Sequence, residues 1–211
     1  MVMTLLSFNR LANADPASQL TGLLAPLNSL SGHFEQTLMD DKGEVLQVSS
    51  GVFSFKRPGS FRWQTLQPFP QLLVSNQQTI WLYDEDLAQV IVRPYTEKID
   101  KTPALLLSGS PNRLLTYYRV AHRSENVTDE PEKSVFDGSD TFILTSQGSE
   151  SDLFTEIVLT FNNRLLSKMA LTDTLGQVSL FRFSGLTVNP SLAGNLFTFE
   201  PPPDVDVIVD D

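Results

Sequence analysis

Few residues in this chain carry the side chains that catalysis or metal binding needs, and their spacing argues against both. The two histidines, His33 and His122, stand far apart, and neither has a second histidine or an acid at metal-ligand spacing. With Cys 0 there is no thiolate ligand, no cysteine nucleophile, no disulfide and no thioether-linked lipid anchor. Acids cluster at Asp40-Asp41, ahead of Lys42-Gly43, and at Asp84-Glu85-Asp86. Both clusters read as solvated hairpin turns rather than paired catalytic carboxylates. Phosphate loops, a Gly-x-Ser-x-Gly elbow and His-Glu-x-x-His are absent from the sequence. The expectation is a protein that is not an enzyme and holds no cofactor and no metal. A lipid-directed hydrolase stays open only if a serine stands beside His33 or His122.

What the chain has in quantity is apolar surface. It holds Phe 14, Trp 2 and Tyr 4, concentrated where the sequence alternates with period two. That spacing puts Phe53 with Phe55, Phe61 with Trp63, Trp81 with Tyr83, and Phe181 with Phe183 on common faces. The same residues serve an ordinary core or an apolar ligand cavity, and composition does not separate the two. At 211 residues, 41% hydrophobic and 19% charged, the chain is long enough for one sizeable core in one domain. A formal net charge of -10 is the wrong sign for tracking phosphates, so nucleic acid is excluded as a partner.

The elements that hold these aromatics are mostly strands. Asp15-Pro16 opens one amphipathic helix with Leu20, Leu23, Leu24 and Leu27 at helical spacing, and Pro26 ends or kinks it. The period then becomes two, which predicts strands over 33–39, 45–56, 61–66, 71–75, 79–83 and 88–93. Short turns such as Arg57-Pro58-Gly59 join them, so the neighbours run antiparallel in a meander. Thr102 to Gly109, an apolar helix with Leu105, Leu106 and Leu107, interrupts the strands, and Pro111 to Leu115 adds another turn. Strands resume over 117–122, 141–146, 154–161, 165–172 and 178–184, and a small helical segment over 190–196 precedes an acidic tail. About eleven strands in one meander make a curved sheet whose apolar face must be covered, and the few helices are the available cover. Met1 to Ala14, apolar and ending in Leu11-Ala12-Asn13-Ala14, reads as the remnant of a secretory signal. Residues 15–211 are then the single mature domain in an exported compartment.

Four stretches make the chain recognisable. They are Lys56-Arg57-Pro58-Gly59-Ser60-Phe61-Arg62-Trp63, Leu73 to Tyr83, Lys101 to Leu107, and Phe197-Thr198-Phe199-Glu200-Pro201-Pro202. In order and spacing they resemble the periplasmic outer-membrane lipoprotein carrier family, LolA. The resemblance implies a mainly β fold with an α lid, an unclosed (half) antiparallel β-barrel covered by short helices. It implies a carrier that takes acylated lipoproteins from an ATP-driven inner-membrane release complex and delivers them to an outer-membrane lipoprotein receptor. It also implies location in the periplasm of a Gram-negative bacterium, and shuttling suits a monomer. The related receptor is itself anchored through an N-terminal cysteine, an identity that Cys 0 excludes here. A lipid- or lipoprotein-sensing module on the same scaffold is the alternative.

By the motif match, Arg57 is the lid latch, bonded to backbone carbonyls near Leu73, Leu107 and Ser108. A guanidinium has five donors and does not neutralise itself, so under an apolar lid it must find acceptors. The cargo-binding residues expected from the same match are Phe53, Phe55, Phe61, Trp63, Leu73 and Trp81 on the sheet. Leu105, Leu106 and Leu107 follow in the lid, with Phe181 and Phe183 on the last long strand. Each buried methylene of an acyl chain is worth about 0.8 kcal/mol, so snug burial of several chains would exceed the practical affinity ceiling of roughly 18–21 kcal/mol. A carrier that lets go needs a deformable cavity.

Overall fold

The period-two alternation becomes twelve strands in one sheet. A computed structural model describes residues 15–95, 107–124, 139–148 and 154–210. Residues 1–14, where the signal remnant was expected, lie outside that set, as do Leu105 and Leu106. The first run of strands is β1 (Ser29–Met39), β2 (Val45–Lys56), β3 (Ser60–Gln67), β4 (Gln71–Asn76), β5 (Thr79–Asp84) and β6 (Gln89–Pro94). The second is β7 (Tyr118–Ser124), β8 (Asp140–Ser146), β9 (Phe154–Asn162), β10 (Leu165–Asp173) and β11 (Val178–Val188), and β12 (Asp206–Val209) follows.

The sheet order is β12-β6-β5-β4-β3-β2-β1-β11-β10-β9-β8-β7. Within each run the neighbours are antiparallel, as the short turns require, but there are two meanders rather than one. They join where β11 returns to pair with β1, through Phe34 opposite Phe183 and Gln36 opposite Phe181. β6 and β7, consecutive in the chain, therefore stand far apart in the sheet. The twelfth strand went unseen because Asp206-Val207-Ile208-Val209 is only four residues long and exposed throughout, so it has no alternation to read. It adds parallel to the edge of β6, with Val207 opposite Val90.

Helix α1 (Pro16–Leu24) starts at the expected Asp15-Pro16 step, although the Asp15 side chain makes no cap bond. It stops at Ala25, before Pro26, and buries Leu20, Leu23 and Leu24 against the concave face. Helix α2 (Pro111–Tyr117) packs beside α1 and β7. A 3-10 turn, Gly194–Phe197, replaces the helical segment expected just before it. That turn lies on β3 and β4, on the convex face.

Two apolar layers result. The concave face and the helices share one large core, from Leu20 through Phe34, Trp63 and Ile157 to Phe183. Leu72, Val74, Val90 and Phe197 are also buried but belong to a separate cluster on the other side of the sheet. Tyr83 meets Phe199 there, with ring centroids 5.4 Å apart.

Asn189 pins α1 to the sheet. It sits at φ 52°, a left-handed conformation that asparagine tolerates. Its side-chain oxygen accepts from the Asn28 and Ser29 amides at 2.8 and 3.1 Å, and its amide nitrogen donates to the Pro26 carbonyl at 3.0 Å. The linker between α1 and β1 is thereby tied to the end of β11. Asn189→Ala removes those bonds and leaves a residue poorly suited to the conformation, so it is expected to destabilise the fold by about 2 kcal/mol in thermal or urea unfolding.

Candidate functional site

A cation, Arg57, reaches under the helices from the turn between β2 and β3. Its Nε and Nη2 donate to the Leu107 carbonyl at 3.2 and 3.0 Å, and its Nη1 donates to the Leu24 carbonyl at the end of α1. The turn itself adds two backbone bonds: Arg57 donates to the Asn28 carbonyl at 2.8 Å, and Gly59 to the Ser108 carbonyl at 3.1 Å. Gly59 has φ 69°, and a Cβ there would stand 2.7 Å from Tyr95 Oη, so the tight approach depends on glycine. The guanidinium also lies 5.6 Å from the Phe55 ring centroid. Burial lowers its pKa to about 10, which leaves it charged at neutral pH. The expected acceptors are met at Leu107 but not at Leu73, which instead pairs across the sheet with Trp63. Leu24 accepts from Nη1 in its place, because the α1 C-terminus offers carbonyls that the helix itself does not use. Ser108 serves the turn through its carbonyl, and its hydroxyl is buried without a partner among the described residues.

Below the latch the concave face divides into two kinds of surface. On β1, β2, β3 and β11 it is aromatic. Phe34 and Trp63 stack with centroids 4.2 Å apart, Phe53 lies 5.4 Å from both Trp63 and Phe183, and Phe181 meets Trp63 edge-on at 5.8 Å. Phe55 and Phe61 pair across β2 and β3 beneath the latch, and both are buried. On β8, β9 and β10 the surface is mainly aliphatic, with Leu144, Ile157, Leu159, Met169 and Leu171 in the core. A narrow crevice with only about 10 Å³ of free space lies there, lined among the described residues by Leu24, Leu107, Leu114, Ile157, Leu159 and Met169.

Of the residues expected to line the cavity, Phe53, Phe55, Phe61, Trp63, Leu73, Leu107, Phe181 and Phe183 all fall in this concave core. Leu105 and Leu106 lie outside the described residues. Trp81 is a correction. Ile80 is buried in the concave core and Leu82 packs against it, so alternation along β5 turns Trp81 to the convex face with Tyr83. Trp81 shares a strand face with its partner, as expected, but that face belongs to the C-terminal cover.

Sequence reasoning missed Phe34, Leu24, Leu114, Leu159 and Met169. Phe34 was readable from its alternation with His33, whereas the aliphatic set lies on strands whose pattern is generic. His33 stands opposite Ser184 in the pairing of β1 with β11, but among the described residues no hydrogen bond joins the two. His33 is exposed, and His122 stacks on Phe142 with its Nε2 3.0 Å from a carboxylate oxygen of Asp140. Among the described residues no helix is long and apolar enough to cross a membrane.

A half-open sheet with an apolar concave face, short helices over it and an arginine bonded to their carbonyls is the arrangement the sequence resemblance implied. Comparison with family models bears out the resemblance itself: residues 25–200 match the model described as outer membrane lipoprotein carrier protein LolA. This chain belongs to the LolA family. The outer-membrane lipoprotein carrier protein of Hahella chejuensis is 36% identical to it over 207 residues, 98% of this chain and 94% of that one. The Azotobacter vinelandii protein of the same name is 39% identical over 199 residues, covering 93% of this chain and 90% of its own. Among solved structures, a LolA superfamily protein from Nitrosomonas europaea superposes with a TM-score of 0.51 at 14% identity, over 88% of this chain and 99% of that one. An uncharacterised conserved protein from Thermus thermophilus reaches a TM-score of 0.57 at 14% identity, over 93% of this chain and 100% of that one. At such identities these two report the fold.

For an arginine bonded to carbonyls of two separate segments, donor geometry matters more than charge. Arg57→Lys keeps the charge, but a single ammonium does not reproduce the fork that serves Leu24 and Leu107 together. The contact of Leu24 and Leu107 with the β2–β3 turn is expected to lose about 1–2 kcal/mol, read as roughly tenfold faster hydrogen exchange at the Gly59 amide.

Proposed function

We propose that this protein carries lipoproteins through the periplasm of a Gram-negative bacterium. It takes acylated lipoproteins from an ATP-driven release complex in the inner membrane, shields their acyl chains beneath the helices, and passes them to a receptor at the outer membrane. It works as a monomer without catalysis. The observation that carries this reading is the Arg57 latch: a half-buried cation whose side-chain acceptors are carbonyls of Leu24 and Leu107, the residues that close the apolar core.

The energetics fit a shuttle. When the lid opens around cargo, the guanidinium loses its three carbonyl bonds, each worth about 1 kcal/mol net and more where charge-assisted. Closure after hand-over restores them, so the empty state is favoured by a few kcal/mol that would otherwise retain cargo. Loading then depends mainly on burial of methylenes, and release depends mainly on the latch.

Incubation of the purified chain with ATP and inner-membrane vesicles bearing labelled lipoprotein is expected to yield soluble one-to-one complexes. Failure to release any lipoprotein, with a working carrier in parallel, would reject the carrier reading. Arg57→Leu is expected to load normally but to hand its cargo to outer-membrane vesicles at least about tenfold more slowly, since the bonds that favour emptying are gone. Burial lowers the Arg57 pKa only to about 10, so the wild-type latch stays cationic across neutral pH.

A further inference from the structure

The end of the sheet away from Arg57 carries a surface that neither the latch nor the concave core uses. Four turns follow one another there in sheet order: β5–β6 (residues 85–88), β3–β4 (68–70), β1–β2 (40–44) and β10–β11 (174–177). Contacts between turns knit this end together: the Glu85 amide donates to the Pro70 carbonyl at 3.4 Å, and a Cβ on Gly176 would lie 3.3 Å from Asp41. Large apolar side chains stand out from this end into solvent, Val45, Leu46 and Val48 on β2, then Leu66, Phe69 and Leu87. So many gathered at one end mark a surface for a partner.

Phe69 is the best presented of these side chains. It is 62% exposed and lies between Pro68 and Pro70. Proline fixes its own φ, and the residue before a proline is confined to extended backbone, so the ring stands on a stiff turn and its backbone loses little freedom when a partner covers it. Beside it is an open groove of about 450 Å³, lined by Glu35, Val48, Ser49, Ser50, Gln67 and Pro68. Here β2 falls out of step with both neighbours: the register shifts leave Leu66 on β3 and Leu46 on β2 without a matching residue, and both are exposed. Val48 and Pro68 give the groove apolar walls, while Ser50, Gln67 and Glu35 add a hydroxyl, an amide and a carboxylate.

The turns around the patch are acidic. Asp40, Asp41 and Glu44 belong to the β1–β2 turn, Asp84, Glu85 and Asp86 to the β5–β6 turn, and Asp173 precedes the β10–β11 turn, whereas Lys42 is the one cation in or next to the four turns. Glu35 reaches the groove while one of its oxygens meets Arg182 at 3.5 Å, an exposed contact that water screens. A ring of acids around apolar side chains repels a second copy of this chain and an anionic bilayer alike, since each brings negative charge to it. A cationic partner is drawn in. We propose that this end of the sheet is a docking surface for a protein partner, whose docked segment is apolar and flanked by lysine or arginine. Its apolar side chains cover Phe69 and enter the groove beside Val48, and its cations meet the acidic turns. This goes beyond the carrier reading and does not rest on it.

The test uses the full chain, isotope-labelled for nuclear magnetic resonance, and two capped synthetic peptides, Leu-Lys-Phe-Lys-Leu-Lys and Leu-Glu-Phe-Glu-Leu-Glu. The lysine peptide is expected to move the amide signals of Val48, Ser50, Gln67 and Phe69. It is expected to bind at least about tenfold more tightly than the glutamate peptide at low ionic strength, with the gap narrowing as salt rises. Phe69→Ala is expected to weaken the lysine peptide about fivefold or more. Asp41→Asn combined with Glu85→Gln and Asp86→Asn takes three charges from the ring and is expected to bring the two peptides to within about threefold of each other. All four positions are exposed, so these changes spare the core. Leu165→Ala, at an exposed apolar residue on the opposite end of the sheet, is expected to leave the affinity within about twofold of wild type.

No shift with the lysine peptide would overturn the inference, as would equal affinity for the two peptides, shifts confined to the concave core, or undiminished binding in Phe69→Ala. Two other occupants are read separately, a second copy by sedimentation velocity and a bilayer by flotation with vesicles of phosphatidylglycerol and phosphatidylethanolamine. A monomer that stays off the vesicles is expected. Dimerisation or vesicle binding that Phe69→Ala abolishes assigns the surface to a second copy or to a bilayer and overturns the protein-partner reading. None of these readouts involves release of lipoprotein, so the carrier reading and this one fail separately.

Discussion

A guanidinium half-buried against apolar side chains has to be satisfied by whatever acceptors the fold brings to it, and here those are carbonyls from two segments distant in sequence. Leu24 ends α1, and Leu107 precedes α2 by a few residues; Arg57 stands between them on a sheet turn. No side-chain acid competes for it in the described residues, so the cation cannot be neutralised locally and the helices cannot leave without stripping it. The position of both helical segments over the concave face follows from this requirement. Apolar burial alone would allow them to slide, because it is non-directional.

The sheet supplies the complementary rigidity. Two antiparallel meanders meet at the pairing of β1 with β11, and the most densely stacked rings, Phe34, Trp63, Phe181 and Phe183, gather around that junction. Gly51 makes room for them: a Cβ there would lie 2.8 Å from the Phe34 ring and 2.0 Å from the Gln64 carbonyl. The aromatic half thus behaves as a keystone, and freedom to expand is left to the aliphatic half and the helices over it.

Much of this was legible in the residues. Strand periodicity located the strands of both meanders to within a few residues, and the pairing of large aromatics two apart identified most of the concave face. Arg57 was readable as a latch only through its resemblance to a family motif, since a Lys-Arg pair flanking a Pro-Gly turn is by itself a solvated surface feature. Trp81 was misplaced because alternation says which residues share a face and not which face is inside; β4, buried on both sides from Leu72 to Ser75, removes the polar contrast that would have decided it. The join of the two meanders was beyond reach for a related reason, as register between distant strands is set by tertiary packing and leaves no local mark.

The C-terminal segment gives the sheet an asymmetry of stiffness. After β11 the chain crosses the convex side, seals Leu72, Val74 and Val90 under Phe197, and ends as a strand on β6. Strands β3 to β6 are in this way laminated between two apolar layers, while the packing of α1 and α2 is directed to the opposite edge, at β7. A laminated plate resists bending far more than a single ply. The β3 to β6 side is therefore the stiffer part of the sheet, and the β7 to β10 side the more pliant.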